Sequence, residues 1–277
     1  MSSYAQPPVL VGVDGSHGAL DALGLAAAEA ALHGFPLRIL HTARLDVRGG
    51  RAVGAEAAAR AVRRYPGLPV LVHAVRGHAE SVLTEEAGYA AMTVLGRRGS
   101  SRRPGPLAGS VSSHVAARAR GPVVVVRGDR YEPTGRRIVV GVDGSAGSDA
   151  AMGFAFEEAA KRGAVLHTML VWAHPAREGR VEARVGYDAA GAAQAAAFEL
   201  ETALVGWREK YPNVPVTPVL VRSRYPERKL LDATASADLI VVGRDRPGGI
   251  GGLLGGTVGH TLVHHSECPV AIVPEVW

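Results

Sequence analysis

The sequence predicts an α/β protein built from two copies of one doubly wound domain, each with a five-stranded parallel sheet between helices. Three observations predict this fold class: an internal repeat, short apolar runs rich in Val and Ile, and longer intervening stretches with Ala and Leu at helical spacing. Continuous apolar runs are typical of strands buried on both faces of a parallel sheet. Strands that alternate with helices indicate βαβ units, whose right-handed crossovers place helices on both sides of the sheet.

The internal repeat consists of four motif pairs in the same order. The first pair is separated by 129 residues and the later pairs by 146 or 147. This growing offset places about 17 extra residues in the second copy, within the stretch 174–200. The pairs are Val11–Ser16 with Val140–Ser145, Tyr65–Pro66 with Tyr211–Pro212, Val94–Arg97 with Val241–Arg244, and Gly109–Val111 with Gly256–Val258.

We therefore predict a first domain at 1–128 and a second at 136–277, joined by the polar, turn-rich linker 129–135. Within each domain we expect the flavodoxin-like, Rossmann-like strand order 3-2-1-4-5. The apolar runs that predict the strands are 9–13, 37–41, 70–75, 92–95 and 122–127 in the first copy, and 137–142, 164–172, 214–221, 238–242 and 269–273 in the second.

Composition and charge exclude several classes of protein. Apolar residues make up 47% of the 277 residues, but no run reaches the roughly 18–20 that a membrane helix needs. The N-terminal residues show no signal-peptide pattern. The net charge of +5 comes mainly from scattered Arg, without the interleaved aromatic residues of a nucleic-acid-binding face. We expect a cytoplasmic protein with no membrane or nucleic-acid partner.

The unusual residues of the first copy follow its first and fourth strands. Open parallel sheets bind ligands where the strand order reverses, which in this order lies between those two strands. Asp14 ends the first strand, and the fourth runs into the loop Gly96-x2-Gly99-x9-Gly109-Ser110 before a helix. Glycines admit close approach of a phosphate, a helix start favours an anion, and Arg97 and Arg98 add positive charge. Asp14 can bond a ribose hydroxyl or a metal ion on the phosphates.

These features also have an interpretation without a ligand. Gly often ends a strand and Ser often begins a helix in proteins without any ligand there, and Ser110 can cap its own helix. The full spacing, with Asp14 at the facing strand end, favours the phosphate interpretation for the first copy.

On these motifs the chain resembles the universal stress protein family in its tandem two-domain form. The second copy adds Asp143-Gly144-Ser145 and Cys268-Pro269-Val270 to the likeness. The resemblance implies ATP binding, with Mg²⁺, in which Asp14 contacts the nucleoside and Thr42 the base. The implied site residues are Asp14, Thr42, Gly96, Gly99, Gly109, Ser110 and Val111 in the first copy, and Asp143, Val171, Gly243, Gly256, Thr257 and Val258 in the second.

The second copy departs from the family pattern in its phosphate loop. Arg246 stands where the second glycine is expected, and a residue with a Cβ resists positive φ. Either this residue distorts the phosphate-binding turn, or the Arg246 guanidinium binds a phosphate group.

No catalytic arrangement is present in the sequence. It lacks a G-x4-G-K-[ST] phosphate loop, a G-x-S-x-G elbow and the protein-kinase motifs. We expect a non-enzymatic, ATP-dependent stress regulator, at most a slow ATPase. The alternatives are a nucleotide-independent scaffold or chaperone-like protein, or an adenylating enzyme, whose Ser-Gly-Gly pyrophosphate loop is missing.

The sequence also leads to expectations about assembly and about individual polar and aromatic residues. The resemblance suggests that the two copies pair through their last strands as an internal pseudo-dimer, that two chains form a homodimer, and that a regulatory protein binds. We interpret Cys268 as a buried thiol, Glu157-Glu158 as a solvated helix face, and the tryptophans as packing residues. We assign no metal-ligating residues, since neighbours such as His264 and His265 rarely converge on one helix.

Overall fold

The computed structural model describes residues 6–44, 47–97, 110–126, 136–172, 189–244 and 258–277. The predicted linker 129–135 lies outside them. The strands are β1 Val9–Gly12, β2 Leu37–Ala43, β3 Val70–Arg76, β4 Met92–Gly96, β5 Val123–Val126, β6 Arg137–Val142, β7 Val165–Trp172, β8 Val216–Arg222, β9 Leu239–Arg244 and β10 Val270–Pro274. The helices are α1 His17–His33, α2 Val47–Arg64, α3 Ala79–Glu86, α4 Ser110–Arg118, α5 Ala146–Arg162, α6 Ala189–Lys210, α7 Pro226–Thr234 and α8 Gly259–His265, with a 3₁₀ turn at Ala87–Tyr89.

All ten strands form one sheet in the order β3-β2-β1-β4-β5-β10-β9-β6-β7-β8. Within each copy the neighbours are parallel and follow the predicted order 3-2-1-4-5. The apolar runs located every strand to within two residues at either end. The fold class is therefore confirmed, and in both copies the first strand lies beside the fourth.

The two copies join through an antiparallel pairing of β5 with β10. Val124 lies opposite Ala271, and these two residues are separated by the repeat offset of 147. Equivalent residues therefore meet at a local two-fold axis, which confirms the internal pseudo-dimer. Since the axis reverses strand direction, the carboxyl ends of the two half-sheets lie at opposite edges of the molecule.

Helices cover both faces of this sheet. One apolar cluster packs α1, α2, α5 and α6 against one face, and a second packs α3, α4, α7 and α8 against the other. Both clusters run across the two copies and are mainly aliphatic, as the sequence composition requires. Among the described residues, Phe156 of α5 is the largest side chain that is fully buried.

The helices that follow the first strand of each copy begin and end in the same way. Ser16 and Ser145 cap the starts of α1 and α5 with their side-chain oxygens, while Gly34 and Gly163 end the helices in the left-handed conformation. Both helices contain 17 residues. The repeat in the sequence therefore reproduces the same local structure twice.

The extra residues of the second copy lie between β7 and α6. The first copy connects β2 to α2 with residues 44–46, whereas the second connects β7 to α6 with residues 173–188. Helix α6 has 22 residues and its counterpart α2 has 18. The insertion predicted within 174–200 therefore falls in this connection and the start of its helix.

Candidate nucleotide site

The Asp-Gly-Ser turn after β1 is held by hydrogen bonds within the turn. Asp14 Oδ1 accepts from the Ser16 amide at 3.0 Å and from Ser16 Oγ at 2.6 Å. Ser16 Oγ in turn accepts from the Ala19 amide at 3.2 Å. Gly15 has φ +81°, a conformation that L side chains rarely adopt. The exposed Asp14 carboxylate is therefore fixed at the carboxyl end of β1.

The second copy repeats this turn after β6. Asp143 Oδ1 accepts from the Ser145 amide at 3.1 Å and from Ser145 Oγ at 2.7 Å. Gly144 has φ +75°. Asp143 is half-buried where Asp14 is exposed. The two carboxylates predicted to contact nucleosides thus have the same local anchoring at opposite edges of the sheet.

The glycines that end β4 and β9 have a packing role. A Cβ on Gly96 would lie 2.1 Å from the backbone oxygen of Gly18 in α1. A Cβ on Gly243 would lie 2.2 Å from the backbone of Gly147 in α5. Each strand end touches the first turn of a helix so closely that only glycine fits. These two glycines therefore carry no independent argument for a phosphate.

Arg97 lies at the contact between the copies. Its Nη1 donates to the His264 carbonyl oxygen of α8 at 2.6 Å. The equivalent Arg244 donates to the carbonyl oxygens of Ala116, at 2.6 Å, and Ala119, near the end of α4. Burial lowers the pKa of the Arg244 guanidinium. The Arg97 guanidinium donates to a carbonyl group at the C-terminus of α8, where positive charge is favoured, so this residue has a structural role, and its contribution to the phosphate site stays a prediction.

The other predicted site residues fall into two groups. Thr42 and Val171 lie near the carboxyl ends of β2 and β7, Val111 lies in the first turn of α4, and Val258 directly precedes α8. In the first copy, pairing of β1 with β4 and β2 brings Asp14, Gly96 and Thr42 to one edge of the sheet. Gly99, Gly109, Gly256 and Thr257, with Arg98 and Arg246, lie outside the described residues, as does the side chain of Ser110.

The profile of the universal stress protein family matches this chain twice, at residues 7–127 and 135–274. The chain belongs to the universal stress protein family. A universal stress protein of Mycobacterium tuberculosis is 34% identical over 290 residues, which cover 96% of this chain and 97% of the relative. A second from the same organism is 32% identical over 290 residues, with 96% of each chain covered.

Solved structures agree with the tandem family fold. The crystal structure of a universal stress protein from Archaeoglobus fulgidus matches with a TM-score of 0.67 at 18% identity, covering 98% of this chain and 100% of that one. A putative universal stress protein from Pseudomonas aeruginosa has a TM-score of 0.62 at 15% identity, with 96% and 91% covered.

Sequence reasoning missed a buried charged cluster where α1 meets α5. Glu29 is 3% exposed and Glu158 is 1% exposed, so the prediction of a solvated face is wrong for Glu158. Helix α5 buries a second side at this point, because it packs on α1, its counterpart in the first copy. The repeat offset of 129, which relates Glu29 to Glu158 and His33 to Arg162, is the signal that could have found this cluster.

The charges in this cluster perturb one another. Burial, followed by repulsion from Glu158, raises the pKa of Glu29 to about 7. Burial lowers the pKa of His33, but Glu158 and the other nearby carboxylates outweigh it and leave the pKa raised. Burial raises the pKa of Glu158, yet His33 and Arg162 outweigh it and leave the pKa lowered. These pKa shifts follow from burial and from the close approach of charges of both signs.

Three further expectations can be compared with the structure. Cys268 is buried, which confirms the expected buried thiol, and burial raises its pKa to about 11. Trp207 stacks on Phe156 with ring centroids 5.9 Å apart, as a packing residue should. Among the described residues, every helix is too short or too polar to cross a membrane.

Proposed function

We propose that this protein is a cytoplasmic stress-response regulator that binds ATP, with Mg²⁺ on the phosphates, and hydrolyses it slowly or not at all. The observation that carries the proposal is the anchored carboxylate of Asp14 at the strand-order reversal between β1 and β4. Membership of the universal stress protein family and the glycine spacing at 96–110 support the same ligand. Each copy would hold its own nucleotide.

In the first copy, Asp14 is suited to accept a hydrogen bond from a ribose hydroxyl or to face a metal ion on the phosphates. Its position is set before any ligand arrives, because Ser16 binds Oδ1 through two groups. Thr42 lies on the neighbouring strand, where the base would lie. The nine-residue helix α4 begins at Ser110, and its N-terminal amide groups favour phosphate oxygens.

In the second copy, Asp143 has the equivalent anchor and would hold a second nucleotide at the opposite sheet edge. The phosphate loop of the second copy has Arg246 where that of the first copy has Gly99. We therefore propose two sites of unequal affinity, with the first copy binding more tightly.

A nucleotide-independent scaffold is the second candidate function, and two observations favour it. Gly96 and Gly243 are explained by close packing on α1 and α5. Arg97 and Arg244 bind carbonyl groups across the contact between the copies. Part of the family motif therefore has a structural role that requires no ligand.

Nucleotide release and titration separate these two functions. The purified protein is denatured and released nucleotides are counted; ATP, ADP and cAMP are then titrated calorimetrically into nucleotide-free protein. The variant Asp14→Asn keeps an oxygen that accepts from Ser16 but loses the charge, so we expect ATP affinity at one site to fall about 10- to 100-fold. Asp143→Asn should affect only the second site, and Asp232→Asn on α7 is the matched control.

Three outcomes would contradict the proposal or part of it. Wild-type protein that neither carries nor binds an adenine nucleotide would favour the scaffold. Binding that is equal in Asp14→Asn, Asp143→Asn and the control would show that the nucleotide lies elsewhere. Turnover near 10 per second, an ordinary enzymatic rate, would contradict the non-catalytic part.

A further inference from the structure

The buried cluster between α1 and α5 contains four side chains at the local two-fold axis. Glu29 and His33 come from α1, and Glu158 and Arg162 come from α5. The side chains of Glu29, His33 and Glu158 are each at most 4% exposed. The two copies contribute Glu-x3-His and Glu-x3-Arg at equivalent positions, so among these four side chains the two-fold symmetry is broken by His33 and Arg162.

Arg162 binds one oxygen of each carboxylate. Its Nη2 donates to Glu29 Oε1 at 2.7 Å and to Glu158 Oε2 at 2.5 Å, and its Nε donates to Glu158 Oε2 at 3.1 Å. The remaining oxygens face His33. Glu158 Oε1 lies 3.1 Å from His33 Nε2, and Glu29 Oε2 lies 3.8 Å from it. The guanidinium thus orients both carboxylates toward one imidazole nitrogen.

One of the converging atoms is buried without a partner. Glu29 Oε2 is shielded from solvent and has no hydrogen-bond partner among the described residues. His33 Nε2 lies 3.1 Å from Glu158 Oε1 and 3.8 Å from Glu29 Oε2, so this ion pair leaves Glu29 Oε2 without a donor. A buried carboxylate oxygen that lacks a donor is unfavourable, and such atoms commonly mark an ion or a water.

We propose that Glu29, His33 and Glu158 bind one zinc-class divalent ion between the two copies. One ligand atom from each residue lies within 4.8 Å of the other two. Bond lengths of about 2.0–2.2 Å place tetrahedral zinc ligands about 3.3–3.6 Å apart. The observed separations of 3.1 and 3.8 Å from His33 Nε2 bracket that range, so small side-chain movements complete the site.

The donor set fits such an ion. Imidazole nitrogen and carboxylate oxygen are ordinary zinc ligands, and no thiolate is needed. With neutral His33, the two carboxylates and Arg162 sum to a charge of −1, so a dication takes the place of the His33 proton and leaves the cluster with a net charge of +1. Arg162 acts as the hydrogen-bonding group behind the carboxylates, the arrangement that supports metal-binding carboxylates generally. Because ligands come from both copies, the ion clamps α1 to α5.

The test uses the full chain, stripped with a chelator and titrated with ZnCl₂ in a calorimeter. We expect one ion per chain in the wild type, with a weakening of at least about tenfold in Glu29→Gln and in His33→Gln. His260→Gln is the matched control, because His260 and His264 form an imidazole pair on α8 away from this cluster. Zinc should also raise the unfolding temperature of the wild type and of the control, but not of the two ligand variants.

Two further measurements keep the proposal testable if a ligand variant fails to fold. Arg162→Lys keeps the positive charge but loses the guanidinium that orients both carboxylates, so zinc affinity should fall while the ligands themselves are unchanged. Cobalt(II) bound to wild-type protein should give a four-coordinate spectrum without thiolate charge-transfer bands. Wild type that binds no zinc, or zinc binding that is lost in His260→Gln and retained in Glu29→Gln, would overturn the proposal.

Discussion

Replacing Gly96 with Ala should destabilise the protein strongly, because the new methyl group would collide with backbone. Its Cβ would lie 2.1 Å from Gly18 O and 2.4 Å from Gly18 C. An ordinary carbon–oxygen contact is more than 1 Å longer, so β4 must move away from the first turn of α1. Overpacking costs about 1–3 kcal/mol, and an obstacle made of backbone places this change at about 3 kcal/mol.

Equilibrium urea unfolding, followed by circular dichroism, measures this effect. With an m value of about 3 kcal/mol/M, a loss of about 3 kcal/mol lowers the midpoint by about 1 M. Gly243→Ala should behave alike, since its Cβ would lie 2.2 Å from the Gly147 backbone. Gly24→Ala is the matched control: its Cβ meets nothing within 4 Å on α1, so stability should rise by about 0.5–1 kcal/mol.

The reasoning is refuted if Gly96→Ala unfolds at the wild-type midpoint while Gly24→Ala shows the expected gain. A destabilised Gly96→Ala also bears on the nucleotide site. Loss of ATP binding in that variant would follow from the displaced strand end alone. The Asp14→Asn variant, which leaves the packing intact, is therefore the informative one for binding.

Three other predictions concern the contact between the copies and the buried thiol. Arg244→Met should lower the unfolding free energy by about 1.5–3 kcal/mol, because charged hydrogen bonds to α4 carbonyls are lost, whereas Met at the exposed Arg60 should change it by less than about 0.5 kcal/mol in the same urea assay. With chelator present, the stabilisation from the raised pKa of His33 should be complete below pH 6.5 and lost as pH rises above it, while the raised pKa of Glu29 lowers stability between about pH 4.5 and 7; His33→Gln should reduce the slope above pH 7, and an unchanged slope there would contradict the assignment. Cys268, with its pKa raised to about 11, should react with a thiol reagent at pH 8 only after urea unfolding, and rapid labelling of folded protein would disagree.

The contact between the copies combines symmetric and asymmetric elements. Arg97 and Arg244 are related by the repeat offset, and each binds carbonyl groups of the opposite copy. Strands β5 and β10 pair through equivalent residues. His33 and Arg162 instead differ at equivalent positions, which gives the axis three potential metal ligands and one guanidinium. A single chain can hold such a difference, whereas a homodimer of identical chains cannot.

The sequence by itself determined the fold class, the repeat and the strands. Ten apolar runs predicted ten strands, because burial of a strand on both faces leaves a continuous local pattern of Val and Ile. It also located the end of the first strand of each copy at Asp14 and Asp143, where the structure shows a left-handed glycine and a capping serine within three residues. These features depend on neighbours along the chain, and a linear pattern records them.

Only the tertiary structure decided the roles of Gly96, Arg97 and Glu158. Gly96 is required by a helix 78 residues earlier in the chain, at Gly18, and Arg97 binds a carbonyl group 167 residues away. Glu158 resembles any charged residue on a helix surface until α5 packs on α1 and buries it beside His33. Such contacts join residues that are distant in sequence, so the side chain's partner, and with it the local charge and dielectric environment, is set only when the two copies come together.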